Sequence, residues 1–185
     1  MNDSLLMISS FIKKPKETGA VAPSSKFLTN EIIRSIDFKN SDYIVELGPG
    51  LGTFTKPLLK KAKQNAKLLC FEINRKFCNY LKRNINDRRL VLINSGAESI
   101  NYNLRKFGVK NTDCVVSGLP FKNFSYAKKK RILMEVKDSL KDGGKFVLFQ
   151  YTNGLDAMLK AHFKKVRRKF VPINMPPSFV YVCVK

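Results

Sequence analysis

The chain lacks the residues on which many common sites depend. It contains no tryptophan and a single histidine, His162, and its four cysteines are scattered without a C-x-x-C pair or a Cys/His cluster. Because histidines and paired cysteines are the usual ligands of zinc and of iron–sulfur clusters, we expect no metal site. Cysteines placed singly, mostly in apolar runs, are typical of a reducing compartment and predict free thiols.

Acidic residues are scarce as well. The chain has 14 Asp and Glu against 35 Lys and Arg, which gives a formal net charge of +21. A field of this sign attracts polyanions, which means nucleic acid or an anionic membrane surface. The basic residues cluster at 13–16, 128–131 and 164–169. Charge alone does not choose between RNA and lipid, and a solvated lysine-rich surface without a partner is the alternative interpretation.

Long apolar runs are also absent. No stretch approaches the roughly 20 apolar residues that are needed to span a bilayer. The first residues lack the positive region, apolar core and cleavage site of a secretory signal. A chain of 185 residues, 44% of them hydrophobic and 14 of them Phe, can bury one full core. We therefore expect a cytoplasmic protein with a single globular core.

Strand-like and helix-like patterns alternate along the chain. The apolar runs predict strands at 43–47, 67–72, 89–93, 113–117 and 145–150. Helices are predicted at 3–14, 25–36, 53–64, 75–84, 98–107 and 126–140, and a terminal hairpin is predicted from 169–172 and 179–184. This alternation predicts an α/β fold, a mostly parallel seven-stranded sheet with helices on both faces and a C-terminal antiparallel hairpin.

Three glycines follow the first predicted strand at alternate positions. They are Gly48, Gly50 and Gly52, in the run V-E-L-G-P-G-L-G. Glycine lets the backbone turn tightly and approach a ligand closely. The next predicted strand ends in Glu72, where an acid can accept hydrogen bonds from both hydroxyls of a ribose. Together these features predict a pocket for an adenosine-containing cofactor.

An acid two residues before the first glycine narrows the choice of cofactor. A carboxylate at Glu46 would repel the pyrophosphate of a dinucleotide, whereas it suits the charged amino group of S-adenosylmethionine, which has no phosphate. The pattern E-L-G-P-G-L-G resembles motif I of the Rossmann-like class I methyltransferases. That resemblance implies Glu46 near the methionyl end of the cofactor, and Glu72 on the ribose with Ile73 beside it. A plain glycine turn with a solvated Glu46 is the alternative.

The loop after the third predicted strand is a candidate for binding the base, because ligands of open α/β sheets gather at such strand ends. Many methyltransferases place an acid in this loop to accept a hydrogen bond from the adenine amino group. Here Gly96 occupies that position. We expect backbone groups, Ala97 or Glu98 to contact the base instead, and a plain turn is the alternative.

The loop after the fourth predicted strand is the candidate acceptor wall. In methyltransferases this position meets the nucleophile of the substrate beside the sulfonium methyl. Its candidate catalytic residues are Ser117, Gly118, Leu119 and Pro120. A rigid proline flanked by glycine and phenylalanine suits a shaped, partly apolar wall, and an ordinary connecting loop is the alternative. Tyr151, after the fifth predicted strand, is a further candidate for lining an amine pocket.

Segments beyond motif I resemble the soluble bacterial phospholipid N-methyltransferases, which methylate phosphatidylethanolamine or related aminolipids. The matching segments are F-I-K-K-P at 11–15, G-A-V-A-P-S-S at 19–25, V-E-L-G-P-G-L-G-T-F-T at 45–55, S-G-L-P-F at 117–121, D-G-G-K-F-V-L-F-Q-Y-T at 142–152 and N-M-P-P-S-F-V-Y at 174–181. The resemblance implies methyl transfer from S-adenosylmethionine to the amine head group of a phospholipid. Gly96 departs from the family pattern.

The resemblance also implies a division of the chain. Residues 1–24, an amphipathic helix and a loop, would face the membrane and cover the site, and residues 25–185 would form the methyltransferase domain. Apolar side chains of the helix would enter the interface while its lysines approach lipid phosphates. The expected partners are an anionic membrane surface, at the inner face of the cell membrane, and an aminophospholipid. A helix packed on the domain is the alternative, and the sequence does not indicate the oligomeric state.

Two other functions fit parts of the sequence. A ribosomal RNA adenine methyltransferase has the same motif I and a basic surface. Such enzymes, however, carry an N-L-P-Y-type motif, whose Asn binds the flipped adenine and whose aromatic residue stacks on it. Here Gly118 stands at the Asn position, which favours the lipid acceptor. A catalytically inactive basic adaptor is supported only by Gly96, and the intact Glu46 and Glu72 count against it.

Overall fold

The computed structural model describes residues 26–174 and 176–185. The helix predicted at 3–14, and with it the whole predicted segment 1–24, lies outside these residues. The helix predicted from residue 25 is found as α1, beginning at Lys26.

Helices and strands alternate through the described part of the chain. The helices are α1 (Lys26–Arg34), α2 (Thr55–Lys61), α3 (Arg75–Asn84), α4 (Ile100–Lys106), α5 (Tyr126–Ser139) and α6 (Asp156–His162). The strands are β1 (Tyr43–Leu47), β2 (Lys67–Phe71), β3 (Leu90–Ile93), β4 (Thr112–Ser117), β5 (Leu140–Gln150), β6 (Lys165–Val171) and β7 (Ser178–Val184). Short 3-10 turns lie at Phe38–Asn40, Ala97–Ser99 and Phe121–Asn123.

The strands of the described residues form one seven-stranded sheet in the order β3-β2-β1-β4-β5-β7-β6. The first five strands are parallel, whereas β7 is antiparallel to both β5 and β6. The predicted fold is thus confirmed, including the C-terminal antiparallel pair. Because β1 to β5 are parallel, their last residues meet at one side of the sheet, which we call the carboxyl edge.

Apolar side chains on the two faces of the sheet form two cores. One core includes α4, α5 and α6, through Ile100, Leu133 and Leu159, and the other includes α1 and α2, through Ile32 and Leu58. Strands buried on both faces need continuous apolar runs, which is why β1, β2 and β4 are rich in Val, Ile and Leu. The helices on both faces hold the strands, and so the carboxyl edge, in place.

The structure differs from the prediction at three elements. Helix α6 was not predicted, because it has seven residues and its buried residue is Leu159 alone, so its apolar periodicity is weak. Strand β6 begins at Lys165 rather than 169, because an edge strand leaves its basic side chains in solvent and needs no apolar alternation. Strand β5 begins at Leu140 rather than 145, with a register shift between Thr112 and Cys114 of its neighbour.

The described residues contain no membrane-spanning helix, no metal-binding cluster and no disulfide bond. No helix among them has the length and apolar character to cross a membrane. No cluster of three or more His, Cys, Asp or Glu side chains within 26–174 and 176–185 is arranged to hold a metal ion. The four cysteines, all of them in this part of the chain, are buried free thiols.

Candidate active site

The glycine turn joins β1 to α2 at the carboxyl edge. The φ angles of Gly48, Gly50 and Gly52 are 69°, 55° and 85°, in the left-handed region that strains other residues. The backbone N–H of Gly48 donates to the carbonyl oxygen of Phe71 at 2.9 Å, which ties the turn to the end of β2. A Cβ atom built on Gly50 would have no neighbour within 4 Å, so the middle of the turn faces open space. The turn therefore offers backbone to a ligand at short range.

Glu72 follows β2 and contacts the glycine turn directly. Its Oε2 accepts a hydrogen bond from the Gly50 N–H at 3.1 Å, and its Oε1 accepts one from the Asn74 N–H at 2.8 Å. Burial raises the pKa of Glu72 above its ordinary value, although these hydrogen bonds oppose the shift. The structure thus brings together the two features that predicted an adenosine pocket, the glycine turn and the acid at the end of the next strand.

Glu46 is fully buried in β1, behind the turn. Its Oε2 accepts hydrogen bonds from the Thr55 hydroxyl at 2.7 Å and from the Cys70 thiol at 3.3 Å, whereas its Oε1 has no partner. Burial raises the pKa of Glu46 to about 7. A buried carboxylate oxygen without a donor is costly, so this site retains a capacity to accept one. The predicted contact with a ligand amino group fits that capacity and stays a prediction.

Glu98, a predicted candidate in the loop after β3, brings its carboxylate to the position of Gly96. A Cβ atom built on Gly96 would lie 2.7 Å from Oε2 of Glu98 and 3.6 Å from Cγ2 of Ile73. The Glu98 carboxylate therefore occupies the space in which a side chain at position 96 would begin. Lys128 of α5 holds it through an ion pair of 2.8 Å. Ala97, in contrast, is buried in the core with its side chain, so that the backbone is what it presents to a ligand.

Ile73 completes this side of the edge. Its side chain is 73% exposed, which is unusual for an isoleucine beside a buried acid. An exposed aliphatic group next to Glu72 and Glu98 suits an apolar contact with a base. The structure therefore places three of the predicted cofactor residues, Ile73, Gly96 and Glu98, side by side.

The segment after β4 packs directly on the glycine turn. The Gly118 N–H donates to the carbonyl oxygen of Leu47 at 2.9 Å, and a Cβ atom on Gly118 would lie 3.0 Å from the carbonyl oxygen of Gly48. Ser117 is buried, and its hydroxyl accepts a hydrogen bond from the Leu119 N–H at 3.1 Å. Gly118 therefore allows the two loops to approach closely, and the hydroxyl of Ser117 fixes the course of the backbone at Leu119.

Gln150 also contacts the segment after β4, although it was not among the predicted site residues. It is the last residue of β5, is 7% exposed, and donates from Nε2 to the carbonyl oxygen of Leu119 at 3.0 Å. The available signal was a buried-strand pattern that ends in a polar residue at the carboxyl edge. Gln150 thereby joins the end of β5 to the segment that begins with Ser117.

Tyr151 is half-buried at the same edge, where its ring meets Phe149 edge-on at 5.6 Å. Burial raises the pKa of its phenol. A phenol with a raised pKa stays protonated at neutral pH, so Tyr151 suits a hydrogen-bond donor or an apolar lining better than a base. Its place in an amine pocket stays a prediction.

The sequence is similar to those of known methyltransferases. Residues 23–142 match the family model of the ribosomal RNA adenine dimethylases. An ornithine lipid N-methyltransferase from Singulisphaera acidiphila is 26% identical over 185 residues, which cover 99% of this chain and 96% of that protein. Ribosomal RNA small subunit methyltransferase A from Malacoplasma penetrans is 27% identical over 146 residues, 72% of this chain but 51% of that protein.

Solved structures share the fold at low identity. The N-methyltransferase NodS from Bradyrhizobium japonicum WM9 superposes with a TM-score of 0.70 and 11% identity, covering 85% of this chain and 94% of that one. A precorrin-6y C5,15-methyltransferase from Geobacter metallireducens superposes with a TM-score of 0.66 and 15% identity, covering 89% and 94%. These similarities show the fold alone.

Proposed function

The chain belongs to the ribosomal RNA adenine dimethylase family and is an S-adenosylmethionine-dependent methyltransferase, and we propose that its acceptor is a lipid amine. That amine is the head group of a phospholipid such as phosphatidylethanolamine, reached at a membrane surface. The ornithine lipid relative, matched over almost the whole of both proteins, supports a lipid amine. The observation that carries the choice is the burial of Phe121.

Phe121 stands where an rRNA dimethylase has the aromatic residue that stacks on the flipped adenine. In this chain the side chain is 1% exposed, belongs to the core under α5, and meets the ring of Phe124 edge-on at 5.8 Å. It has no free face to offer a base. Gly118, at the position of the base-binding Asn, cannot gain a side chain without pressing on Gly48. The burial of Phe121 and the close packing of Gly118 on Gly48 both support an acceptor that is not a flat base.

The residues at the carboxyl edge fit the cofactor. Glu72 offers a carboxylate to the ribose, Glu98 and Ile73 offer an acceptor and an apolar surface to the adenine, and Glu46 offers its unpartnered oxygen to the amino group. When bound, S-adenosylmethionine supplies a methyl group on a positively charged sulfur. The open side of Gly50 leaves space for it along the turn.

The acceptor wall acts by positioning. Gln150 and Ser117 hold the Leu119 backbone from two sides, which fixes the surface against which an amine would lie. His162 is not near this edge, since it ends α6 just before Lys165, which pairs with Val184 at the opposite end of the strands. Water or a carboxylate then takes the proton of the lipid ammonium, and the gain in rate comes from alignment of the neutral amine.

An rRNA adenine acceptor is the second candidate, favoured by the family match and by the relative from Malacoplasma penetrans.

The proposed membrane contact of residues 1–24 can be tested without an activity assay. Deletion of residues 1–14 should weaken binding to anionic liposomes. Undiminished liposome binding of the deleted protein would remove that segment from the proposal.

The decisive assay supplies labelled S-adenosylmethionine with anionic liposomes that contain phosphatidylethanolamine, and in parallel with ribosomal RNA. We expect label in the lipid and none in the RNA. The Glu72→Ala variant is the control, since it should lose labelling while keeping the fold. Label in the RNA alone refutes the lipid proposal, and the absence of a saturable cofactor site by calorimetry identifies an inactive adaptor instead.

A further inference from the structure

The β6–β7 hairpin carries basic and apolar side chains to the carboxyl edge. Phe179 pairs with Gln150 at the end of β5 and with Phe170 near the end of β6. The connection from β6 to β7 therefore lies at the same edge as the glycine turn and the acceptor wall. A partner that covers the open site would therefore also contact the connection between β6 and β7.

Two large apolar side chains stand in solvent on this hairpin. Phe170 is 52% exposed and Ile173 is 64% exposed. Directly before them on β6 lie three exposed cations, Arg167, Arg168 and Lys169. We call residues 167–173 the hairpin tip. Isolated apolar residues on a surface need no explanation, but two beside a basic run at the mouth of a site indicate a partner.

The cations of the tip are only partly neutralised by the protein. Arg168 pairs with Asp156 at 2.7 Å and Lys169 pairs with Glu31 at 2.6 Å. Arg167 has no ion pair with any residue within 26–174 or 176–185. On the sheet face Arg167 and Lys169 adjoin Val180 and Val182 in a shallow groove. The surface thus offers positive charge and aliphatic surface together.

An anionic bilayer fits this combination better than the alternatives. RNA would use the charge and a stacking ring, but the most exposed apolar group of the tip is Ile173, which cannot stack on a base. A second copy that paired along the free edge of β6 would bring two basic strands together, and such charges oppose edge pairing. In a bilayer, the cations meet lipid phosphates while Phe170 and Ile173 enter the interface.

We infer that the hairpin tip is a membrane-docking element, which holds the carboxyl edge against an anionic lipid surface. This inference rests on the proposed lipid acceptor and adds a contact distinct from residues 1–24. Docking through the tip orients the domain, so that an amine head group reaches the wall at Leu119 without leaving the bilayer.

The absence of tryptophan makes this testable with one reporter. The Phe170→Trp variant of the full chain is mixed with vesicles of phosphatidylglycerol and phosphatidylethanolamine, and Phe107→Trp is the matched control. Phe107 is 53% exposed but follows α4, at the opposite end of the strands from the carboxyl edge. We expect F170W emission to shift to shorter wavelength and to be quenched by brominated lipid, and F107W emission to stay unchanged.

Removal of the apolar and charged groups gives the second arm. Arg167→Ser should weaken vesicle partitioning about fivefold, and Ile173→Ser by roughly as much or more. If F170W co-sediments with vesicles and its emission does not shift, the tip is not the contact. A shift with ribosomal RNA and none with vesicles would make the tip an RNA surface and overturn the inference.

The two proposals fail separately. Label in the lipid without a shift of F170W refutes the docking element and leaves the lipid acceptor standing. A shift of F170W without label in the lipid supports the docking element and refutes the acceptor.

Discussion

The buried carboxyl of Glu46 predicts an unusual pH dependence of stability. Burial raises its pKa to about 7 in the folded chain, against the hydrogen bonds from Thr55 and Cys70. In the unfolded chain the group should titrate near 4.5, the value for an exposed glutamate. The Glu46→Gln variant keeps the shape of the side chain and removes the titration.

The sign follows from proton binding. Between the two pKa values the folded state of the wild type holds a proton that the unfolded state has lost, so the free energy of unfolding falls as the pH rises. The contribution of Glu46 is fully present below about pH 4.5 and is lost as the pH passes through about 7. Its size is about 3 kcal/mol, and most of it is lost between roughly pH 5 and pH 8.

The assay is urea denaturation of wild type and Glu46→Gln, without cofactor, at several pH values from 5 to 8. The stability of the variant relative to wild type should rise with pH by about 2 to 3 kcal/mol over this range. Thr55→Val is the matched control. Because it removes a hydrogen bond that lowers the pKa, it should move the loss of stability to higher pH. Parallel stability curves for wild type and Glu46→Gln would show that the pKa of Glu46 is not raised by folding.

Three further variants test the site residue by residue. Glu72→Ala should weaken cofactor affinity by about 2 kcal/mol, roughly thirtyfold, because it removes a charged hydrogen-bond acceptor; calorimetry measures this, and unchanged affinity removes Glu72 from the ribose. Glu98→Ala should reduce about tenfold the preference for S-adenosylhomocysteine over S-inosylhomocysteine, and an unaltered preference would show that the carboxylate does not contact the amino group. Gly118→Asn should reduce methyl transfer to lipid roughly tenfold, because its Cβ presses on the Gly48 carbonyl oxygen; label appearing in RNA, with cofactor affinity intact, would contradict the assignment of the wall.

The strands and the glycine turn were predictable because their signals are local. The apolar run of β1 and the alternate glycines after it are consecutive in sequence, and Glu72 directly follows the apolar run of β2. Strand β6 gave a weaker signal. Its basic side chains belong to an edge strand with one neighbour, so the charge pattern concealed the start of the hairpin.

The parts of the site that escaped prediction depend on contacts between distant segments. The position of the Glu98 carboxylate over Gly96 is set by Lys128, which belongs to α5. The role of Gln150 arises from a contact with Leu119, and the burial of Phe121 arises from packing against the core of α5. Sequence spacing places each of these residues at a strand end or loop, but it does not give the direction of a side chain.

Analysis of lipids and rRNA from the same cells distinguishes a lipid amine from an adenine as the methyl acceptor. Lipids and ribosomal RNA are extracted from cells that lack their own rRNA adenine dimethylase and express either the wild type or Glu72→Ala, and both extracts are analysed by mass spectrometry. We predict N-methylated aminophospholipid with the wild type only, and rRNA without dimethyladenosine in both strains. Dimethyladenosine in the rRNA of the wild-type strain, together with unchanged lipids, would show that the acceptor is RNA and not lipid.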